Sequence, residues 1–434
     1  MIPTFDGHND TLLVLLEHPE RDFGRRLEEG HIDVVRAREG GLAGGMFAMF
    51  TPARAAAQAA APVASGTAAP DAASPAPPPA PQGPVEGGHA LRTTLRMFSL
   101  LRRLEAAGHL SVCLSADDIE AAMAEGVLAA VPHIEGAEAV VDLEVLEALH
   151  ALGLRSLGPV WSRPNAYATG VPFAFPGTPD VGTGLTAAGR ELVAACDRLR
   201  IVLDVSHLNE AGFWELLDRS ERPVVASHSN VHALSASPRN LTDAQLDALA
   251  ERDGLVGLNF ACGFLREDGR HHADTPLETM VRHLDRLVGR LGETRVGLGS
   301  DFDGATMPQA IGDAAGLPRL FDALRAHGWD AGLLTRVAHR NWIDLLRRVQ
   351  EPEAGWGRCA PPSPASGAPP AGFAGSGPAP PAAPPPRRCR WWRARSSSGR
   401  WPAWRRSASI ASSTSSGTSS SSGATTSVCC RPRC

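Results

Sequence analysis

Short apolar runs alternate with amphipathic stretches along most of the chain. Eight such runs occur, in the order IPTF, GLAGGMFAMF, VLAAVPHIEGA, LRSLGPVW, RIVLDVSH, PVVASHS, GLVGLNFA and RVGLGSDFDG. Most are followed by a segment with helical periodicity, such as VDLEVLEALHALG or PLETMVRHLDRLVGRLG. Strands that are apolar on both faces are typical of a parallel sheet that helices cover. The pattern therefore predicts an α/β fold, a (β/α)8 TIM-like barrel of roughly 300 residues. An open doubly wound sheet is the alternative, but no GxGxxG motif follows the first strand to favour it.

Two segments lack this pattern. Residues 52–88 are rich in Ala and Pro and poor in large apolar side chains, which predicts a loop insertion or linker. From residue 351 the chain is rich first in Pro and Ala, then in Arg and Trp, and finally in Ser and Thr. We therefore expect a barrel domain over residues 1–350 and a disordered tail over residues 351–434.

Charge separates the same two parts. No Asp or Glu follows Glu353, whereas 11 Arg do, so the residues after Glu353 carry +11 of a formal net charge of −5 and the residues up to Glu353 carry −16. A cluster of Arg and Trp can bind nucleic acid or an anionic membrane surface. The composition is also what a GC-rich gene gives when it is translated out of frame, and we favour that interpretation. Resequencing the 3′ end would test it.

The remaining composition indicates a cytoplasmic enzyme. No early apolar run reaches the roughly 18 residues of a membrane span, and the N-terminus lacks a signal-peptide pattern. Cys113, Cys196 and Cys262 are scattered through the barrel segment, without a CxxC pair. They predict small buried apolar residues rather than a disulfide framework.

Polar residues follow the predicted strands, and in a TIM-like barrel the C-terminal strand ends carry the chemistry. Five of the eight strands end in histidine or carboxylate side chains: His8 and Asp10, Glu135, His207, His228, and Asp301 and Asp303. Each alone is consistent with an ordinary turn or cap. Together they predict a site for zinc or a similar divalent metal, because imidazole and carboxylate groups are its preferred ligands.

All basic residues of the chain are arginine, and this restricts the metal site. Many two-metal barrel hydrolases bridge their metals with a carboxylated lysine, which this chain cannot form. If two metals bind, a carboxylate must bridge them, and Glu135 is the best placed. His8 and Asp10 would then complete one metal site, and His207 and His228 the other.

The ordered motifs DGHNDTLL, IEGA, DVSHLN, ASHSNVHAL, PRNLTD and GLGSDFDG resemble those of the membrane dipeptidase (renal dipeptidase) family of zinc peptidases. The resemblance covers roughly residues 1–50 and 90–350. It implies a zinc-dependent dipeptidase that acts on small dipeptides and tolerates a C-terminal D-residue. Dimerisation is common in that family, so a homodimer is a further expectation. No nucleic-acid partner is expected.

The resemblance also assigns roles to residues. It implies that His8 and Asp10 bind one zinc, that Glu135 bridges, and that His207 and His228 bind the second zinc. Asp301 would be the catalytic acid/base. Arg239 would hold the substrate carboxylate, a task that suits a bidentate guanidinium.

One position departs from the family pattern. Where mammalian members carry a substrate-binding histidine, this chain has Trp161, and the role of that histidine in polarising the scissile carbonyl is therefore in doubt. The zinc or the nearby Asn165 could substitute in part, which predicts an altered substrate preference. His133 lies two residues before Glu135 and could support the metal ligands from behind.

Three alternatives stay open. Another metal-dependent amide or ester hydrolase, such as a deacetylase or a lactonase, is possible on the same scaffold. A binding protein that acts through the basic Arg/Trp tail belongs to a different class. The third is an enzyme that the change at Trp161 has inactivated.

Overall fold

A computed structural model describes residues 1–53 and 84–350 of the chain. Eight parallel strands form a nearly closed barrel, and a ninth pairs with one of them from outside the barrel path. In chain order the strands are β1 (Thr4–Asn9), β2 (Leu42–Phe50), β3 (Leu110–Val112), β4 (Leu128–Glu135), β5 (Ser156–Gly158), β6 (Val202–Leu203), β7 (Val225–Ala226), β8 (Leu255–Leu258) and β9 (Val296–Leu298). The predicted (β/α)8 barrel is thus confirmed, and each of the eight apolar runs contributes one barrel strand.

The barrel closes between its two shortest strands. The hydrogen-bonded order is β6, β5, β4, β2, β1, β9, β8 and β7, so the remaining joint lies between β6 and β7. An isolated parallel bridge between Asp204 and Val225 spans that joint. We call it the β6/β7 joint.

Helices surround the sheet and present their apolar faces to it. They are α1 (Thr11–Glu17), α2 (Val34–Gly40), α3 (Gly87–Ala106), α4 (Ala116–Glu125), α5 (Leu143–Leu152), α6 (Ala187–Leu199), α7 (Glu210–Arg219), α8 (Asp243–Glu251), α9 (Cys262–Leu265), α10 (Leu277–Leu291), α11 (Leu317–Ala326), α12 (Ala331–Thr335) and α13 (Asn341–Gln350). Polar side chains cap many of their N-termini. Ser115 and Asp118, for example, form a capping box at α4, which satisfies backbone N–H groups that a helix leaves unpaired.

One end of the barrel is filled from α13. Trp342 is fully buried and donates a hydrogen bond from Nε1 to the backbone oxygen of Leu298. Its ring lies so close to Gly7 and Gly297 that a Cβ atom at either position would approach it to 2.4 or 2.3 Å. These two strand glycines therefore make room for the indole, a close approach that explains glycine inside a strand.

Some predictions are extended or left open by the structure. The sequence analysis did not anticipate β3, which pairs with the first half of β4, where β5 does not reach. Cys113, Cys196 and Cys262 are buried and free, as expected.

Within the described ranges no helix is long and apolar enough to cross a membrane. Residues 54–83 of the predicted insertion, and the predicted tail, lie outside the described residues.

Candidate metal centre

The predicted ligands meet at one end of the barrel because the parallel strands all deliver their C-terminal ends there. His8 lies near the end of β1 and Asp10 directly follows that strand. Glu135 is the last residue of β4, and His207 and His228 follow β6 and β7. All five are buried. The topology therefore assembles the cluster from four strands that are far apart in sequence.

Glu135 lies at the centre of this cluster. Its Oε1 atom is 2.9 Å from Nε2 of His207, 3.4 Å from Nε2 of His228 and 3.8 Å from Nε2 of His8. The His8 and His228 rings stack with their centroids 3.8 Å apart. One carboxylate oxygen thus faces three imidazole nitrogens, as expected of a group that bridges two ligand sets.

Two overlapping groups have the geometry of a metal site. In the first, ligand atoms of His8, Glu135 and His228 lie within 4.8 Å of one another. In the second, those of His8, Asp10 and Asp301 do so. His8 Nε2 is 3.8 Å from Asp10 Oδ2. Because Asp301 joins the second group, the structure allows it to be a ligand as well as the predicted acid/base.

Unpaired polar atoms in this cluster fit a bound cation. Both ring nitrogens of His8 and Oδ1 of Asp10 are buried without a hydrogen-bond partner among the described residues. Such atoms are rare in folded proteins because each loses its interaction with water. Imidazole and carboxylate donors at this spacing are suited to a divalent metal, which would satisfy them.

The electrostatics of the cluster indicate an excess of negative charge. Burial raises the pKa of Glu135 and of Asp301. Burial alone would lower the pKa of His8, but the neighbouring Glu135, Asp10 and Asp301 carboxylates raise it instead. Burial and the neighbouring carboxylate charges thus favour the protonated form of Glu135 and Asp301, and the carboxylate charges favour the protonated form of His8.

The other two predicted ligand histidines, His207 and His228, are held in the neutral form. Burial, followed by the positive charges of Arg239 and His8, holds the pKa of His207 and of His228 well below the usual histidine range. Both rings are therefore neutral near pH 7, the state that a metal ligand requires. The backbone of His207 is left-handed, with φ of 70°, and so is that of Asp301, with φ of 60°. Non-glycine residues with this strain cluster at functional sites.

Polar residues behind the predicted ligands and Asp301 hold them in place, and the sequence analysis missed these polar residues. Ser162 Oγ lies 2.7 Å from Nδ1 of His207, and Ser227 Oγ lies 2.8 Å from Nδ1 of His228. Asn259 donates a hydrogen bond of 2.9 Å to Oδ2 of Asp301. A signal for Asn259 was present, because it is the one polar side chain in the seventh apolar run, GLVGLNFA, and directly follows β8.

Arg239 is buried beside the cluster. Its Nη2 atom donates to the backbone oxygen of His228 at 3.1 Å, and its guanidinium carbon lies 5.4 Å from the centre of the Phe264 ring. Nε has no partner in the described part of the chain. Burial lowers the pKa of Arg239, whereas the Asp301 and Glu135 carboxylates raise it. A free donor on a buried cation is suited to an anionic ligand group.

Trp161 forms a wall next to the cluster. Its ring centroid is 5.8 Å from that of His207, 5.1 Å from that of Phe50 and 5.2 Å from that of Phe173. The guanidinium of Arg163 lies 5.2 Å from the indole centroid. The structure therefore brings Trp161 to the site, in contact with one of the proposed ligands.

Two other predicted rim residues are engaged elsewhere. Asn165 donates from Nδ2 to the backbone oxygen of Pro159 at 2.8 Å, and its Oδ1 accepts from the N–H of Tyr167 and of Ala168. Its amide thus braces its own loop, and a substrate contact for Asn165 stays a prediction.

Asp303 accepts hydrogen bonds from the Thr11 hydroxyl at 2.7 Å and from the backbone N–H of His31 at 2.6 Å. Its carboxylate therefore ties the rim loops together.

Comparisons with known proteins agree with this geometry. The model of the family described as membrane dipeptidase (peptidase family M19) matches residues 1–355, a range that contains every rim residue described above. A metallo peptidase from Rhodobacter sphaeroides, solved with a phosphinate mimic of the dipeptide L-Ala-D-Ala, is 48% identical, with a TM-score of 0.72 over 80% of this chain and 99% of that one.

Two further relatives are similarly close. The solved metallo peptidase called dipeptidase AC is 49% identical, with a TM-score of 0.72 over 80% of this chain and 99% of its own. An uncharacterized protein from the pqqA 5′ region of Klebsiella pneumoniae is 49% identical over 257 residues, which is 58% of this chain and 95% of that protein. These similarities extend over nearly the full length of each relative.

Proposed function

The chain belongs to the membrane dipeptidase family, and from that premise we propose that it is a zinc-dependent enzyme that hydrolyses small dipeptides, including L-Ala-D-Ala. It is a metal-dependent dipeptidase by family. The D-residue is proposed because the Rhodobacter sphaeroides relative was solved with a mimic of that dipeptide. The cytoplasmic location and the homodimer stay predictions.

Five side chains would hold two zinc ions. His8 and Asp10 would bind one ion, His207 and His228 the other, and Glu135 would bridge them. The distances from Glu135 Oε1 to the three imidazole nitrogens, 2.9 to 3.8 Å, support this assignment. When bound, such ions polarise a carbonyl and lower the pKa of water, so that water becomes a nucleophile near neutral pH.

Asp301 would move the proton. Because Asn259 donates to Oδ2, the carboxylate is held in one orientation beside His8 and Asp10. Burial raises the pKa of Asp301, which favours proton uptake during the reaction. We assign to this carboxylate the acceptance of a proton from the attacking water and its donation to the departing amine.

Arg239 would bind the C-terminal carboxylate of the dipeptide. The unpaired Nε of this buried guanidinium supplies a charge-assisted donor, and the packed Phe264 ring restricts its position. A substrate held at its carboxylate presents its scissile bond at a fixed distance, which lowers the entropic cost of reaction. This contact also distinguishes a dipeptidase from a deacetylase or a lactonase, whose neutral substrates do not need it.

The convergence of unpaired His8 nitrogens and three carboxylates at one barrel end is the observation that carries this proposal. The test is metal analysis of the full chain, combined with hydrolysis of L-Ala-D-Ala and L-Ala-L-Ala before and after chelation. We expect about two zinc ions per chain and cleavage that chelation abolishes and zinc restores.

A matched pair of variants sharpens the test. Glu135→Gln should lower both zinc content and turnover, whereas Glu125→Gln, at the exposed end of α4, should leave both unchanged. Zinc binding without dipeptide cleavage would shift the assignment to a neighbouring hydrolase class. A chain that binds no metal would contradict the whole assignment.

A further inference from the structure

Ser227 connects a buried carboxylate to one of the proposed zinc ligands. Its Oγ lies 2.5 Å from Oδ2 of Asp204 and 2.8 Å from Nδ1 of His228. All three residues are buried, with at most 1% of their surface exposed. The side chains of Asp204, Ser227 and His228 therefore form a continuous hydrogen-bonded line that ends at the metal cluster.

The chemistry of this line determines where its protons lie. An ionised carboxylate only accepts hydrogen bonds, so the single hydroxyl proton of Ser227 points to Asp204. The short contact of 2.5 Å is typical of such a charge-assisted bond. Ser227 Oγ must then accept a hydrogen from Nδ1 of His228, which leaves Nε2 of that ring unprotonated. Nε2 is the atom that faces Glu135.

The same carboxylate also holds together the β6/β7 joint. The backbone of that joint contributes a bond from the N–H of Val205 to the oxygen of Val225. Asp204 Oδ1 adds a bond of 2.9 Å from the N–H of Ser227, and Ser206 Oγ accepts from the N–H of His228 at 3.1 Å. Hydrogen bonds from side chains thus supplement the short backbone ladder between β6 and β7, the two strands that His207 and His228 follow.

The other histidines lack such a line. His207 Nδ1 contacts the hydroxyl of Ser162, which can donate or accept, and both nitrogens of His8 are unpaired within the described residues. His133 Nε2 approaches Asp204 Oδ2 only to 3.6 Å and makes no hydrogen bond there. Among the described histidines of the cluster, a carboxylate thus selects the protonated nitrogen of His228 alone.

We propose that Asp204 is a positioning residue that acts through Ser227 to keep His228 in the tautomer whose Nε2 can bind metal. The inference rests on the proposed function, because it gives His228 a metal to bind. It assigns a role to the Asp of the DVSH motif that neither its strand-end position nor its spacing indicates. Carboxylates that act behind ligating histidines are known to increase metal affinity about 10–100-fold.

Two variants test this role in the full chain. Asp204→Asn preserves shape and the Oδ1 acceptor, but it places an amide donor opposite Ser227. The hydroxyl then turns toward Nδ1 of His228 and favours the tautomer with a protonated Nε2. Ser227→Ala removes the connection. We expect each to raise the zinc Kd about 10–100-fold, measured by competition with a chelator of known affinity.

Ser220→Ala is the matched control. Ser220 is likewise a buried serine whose hydroxyl donates to an aspartate, Asp197 Oδ1 at 2.9 Å, but it directly follows α7 and is not part of the line from Asp204 to His228. If the line sets the tautomer, this variant should keep a zinc Kd close to that of the wild type. Equal weakening by Ser220→Ala and Ser227→Ala would instead show a purely structural role and overturn the proposal.

A measurement on the wild-type chain avoids any dependence on variants that fold poorly. In the metal-free full chain labelled with 15N-histidine, long-range 1H–15N spectra identify the protonated ring nitrogen. The His228 signals are assigned by their loss in His228→Gln. A proton on Nδ1 supports the proposal, and a proton on Nε2 overturns it. Because this readout needs no zinc, its result does not depend on whether the chain has the proposed dipeptidase activity.

Discussion

The indole ring of Trp161 faces the imidazole ring of His207 at a centroid distance of 5.8 Å and a tilt of 32°. Arg163 holds the indole from behind, and its guanidinium in turn donates to Glu138 at 2.7 Å in a buried ion pair. Where the sequence motif led us to expect a changed substrate contact, the structure has a large, braced apolar surface beside a proposed zinc ligand. Its size and rigidity suggest a determinant of substrate choice.

Replacing Trp161 with Ala should change substrate binding without removing metal. We expect KM for L-Ala-D-Ala to rise about 10-fold or more, since apolar pocket contacts are worth roughly 1–3 kcal/mol in discrimination. Zinc content should stay at the wild-type value, because the indole supplies no ligand atom. Trp214→Ala, at an indole that is 38% exposed on α7, is the control and should have no effect. A loss of zinc in Trp161→Ala alone would show that the ring supports the metal site instead.

Arg239 should discriminate between substrates by charge. In Arg239→Lys the fold keeps a cation, but the forked donor geometry is lost, so KM for a dipeptide should rise about 10–100-fold, as expected for a hydrogen bond between charged groups. Hydrolysis of the same dipeptide with its carboxylate amidated should be slow in both enzymes and unchanged by the substitution. If the variant affects the acid and the amide equally, Arg239 acts through the backbone of His228, to which it donates, and not on substrate.

The sequence predicted which residues gather at one end of the barrel because topology alone brings those residues together. In a parallel barrel every strand delivers its C-terminus to the same end, so His8 and Glu135 needed only correct strand assignments to be placed near each other. The roles of Ser162 and Ser227 could not be predicted in this way. They depend on side-chain rotamers and on the path of the β6/β7 joint, neither of which follows from apolar periodicity.

Asn165 illustrates the same limit. Its position near Trp161 in the sequence suggested a substrate contact, which stays a prediction, and the structure shows that its amide bonds to the backbone of its own loop. Asn and Asp commonly make such local bonds in turns, and the competing role is visible only when the loop conformation is known. By contrast, the left-handed backbone at His207 and Asp301 marks these residues as unusual independently of their side-chain type.

Asp301→Asn separates proton transfer from metal binding. The amide keeps the shape of the carboxylate but cannot take up a proton, so kcat should fall about 10²- to 10⁴-fold. Zinc content, measured by elemental analysis, should stay unchanged if Asp301 acts only as acid/base. A parallel loss of zinc would assign it to the metal-ligand group that it forms with His8 and Asp10. Asp303→Asn is the control, because that carboxylate binds Thr11 and should affect stability more than kcat.

His283 should make the stability of the fold depend on pH. This residue of α10 is buried, accepts a hydrogen bond from the N–H of Val231 and lies 3.0 Å from the backbone oxygen of Leu265 through Nε2. Burial lowers its pKa to about 4. The unfolded chain, with a histidine pKa near 6.5, therefore binds more protons between these values, and the free energy of unfolding falls as the pH drops through that window.

The contribution of His283 amounts to about 2 kcal/mol between pH 7 and pH 5, from 1.36 kcal/mol per pKa unit. Urea unfolding of the wild type and of His283→Gln at both pH values measures it, because Gln can replace both hydrogen bonds but does not titrate. The variant should lose less stability than the wild type on acidification, by that amount. His18→Gln, at an exposed histidine, should behave as the wild type does. Identical pH dependence in wild type and His283→Gln would show that the ring is protonated without cost in the folded state.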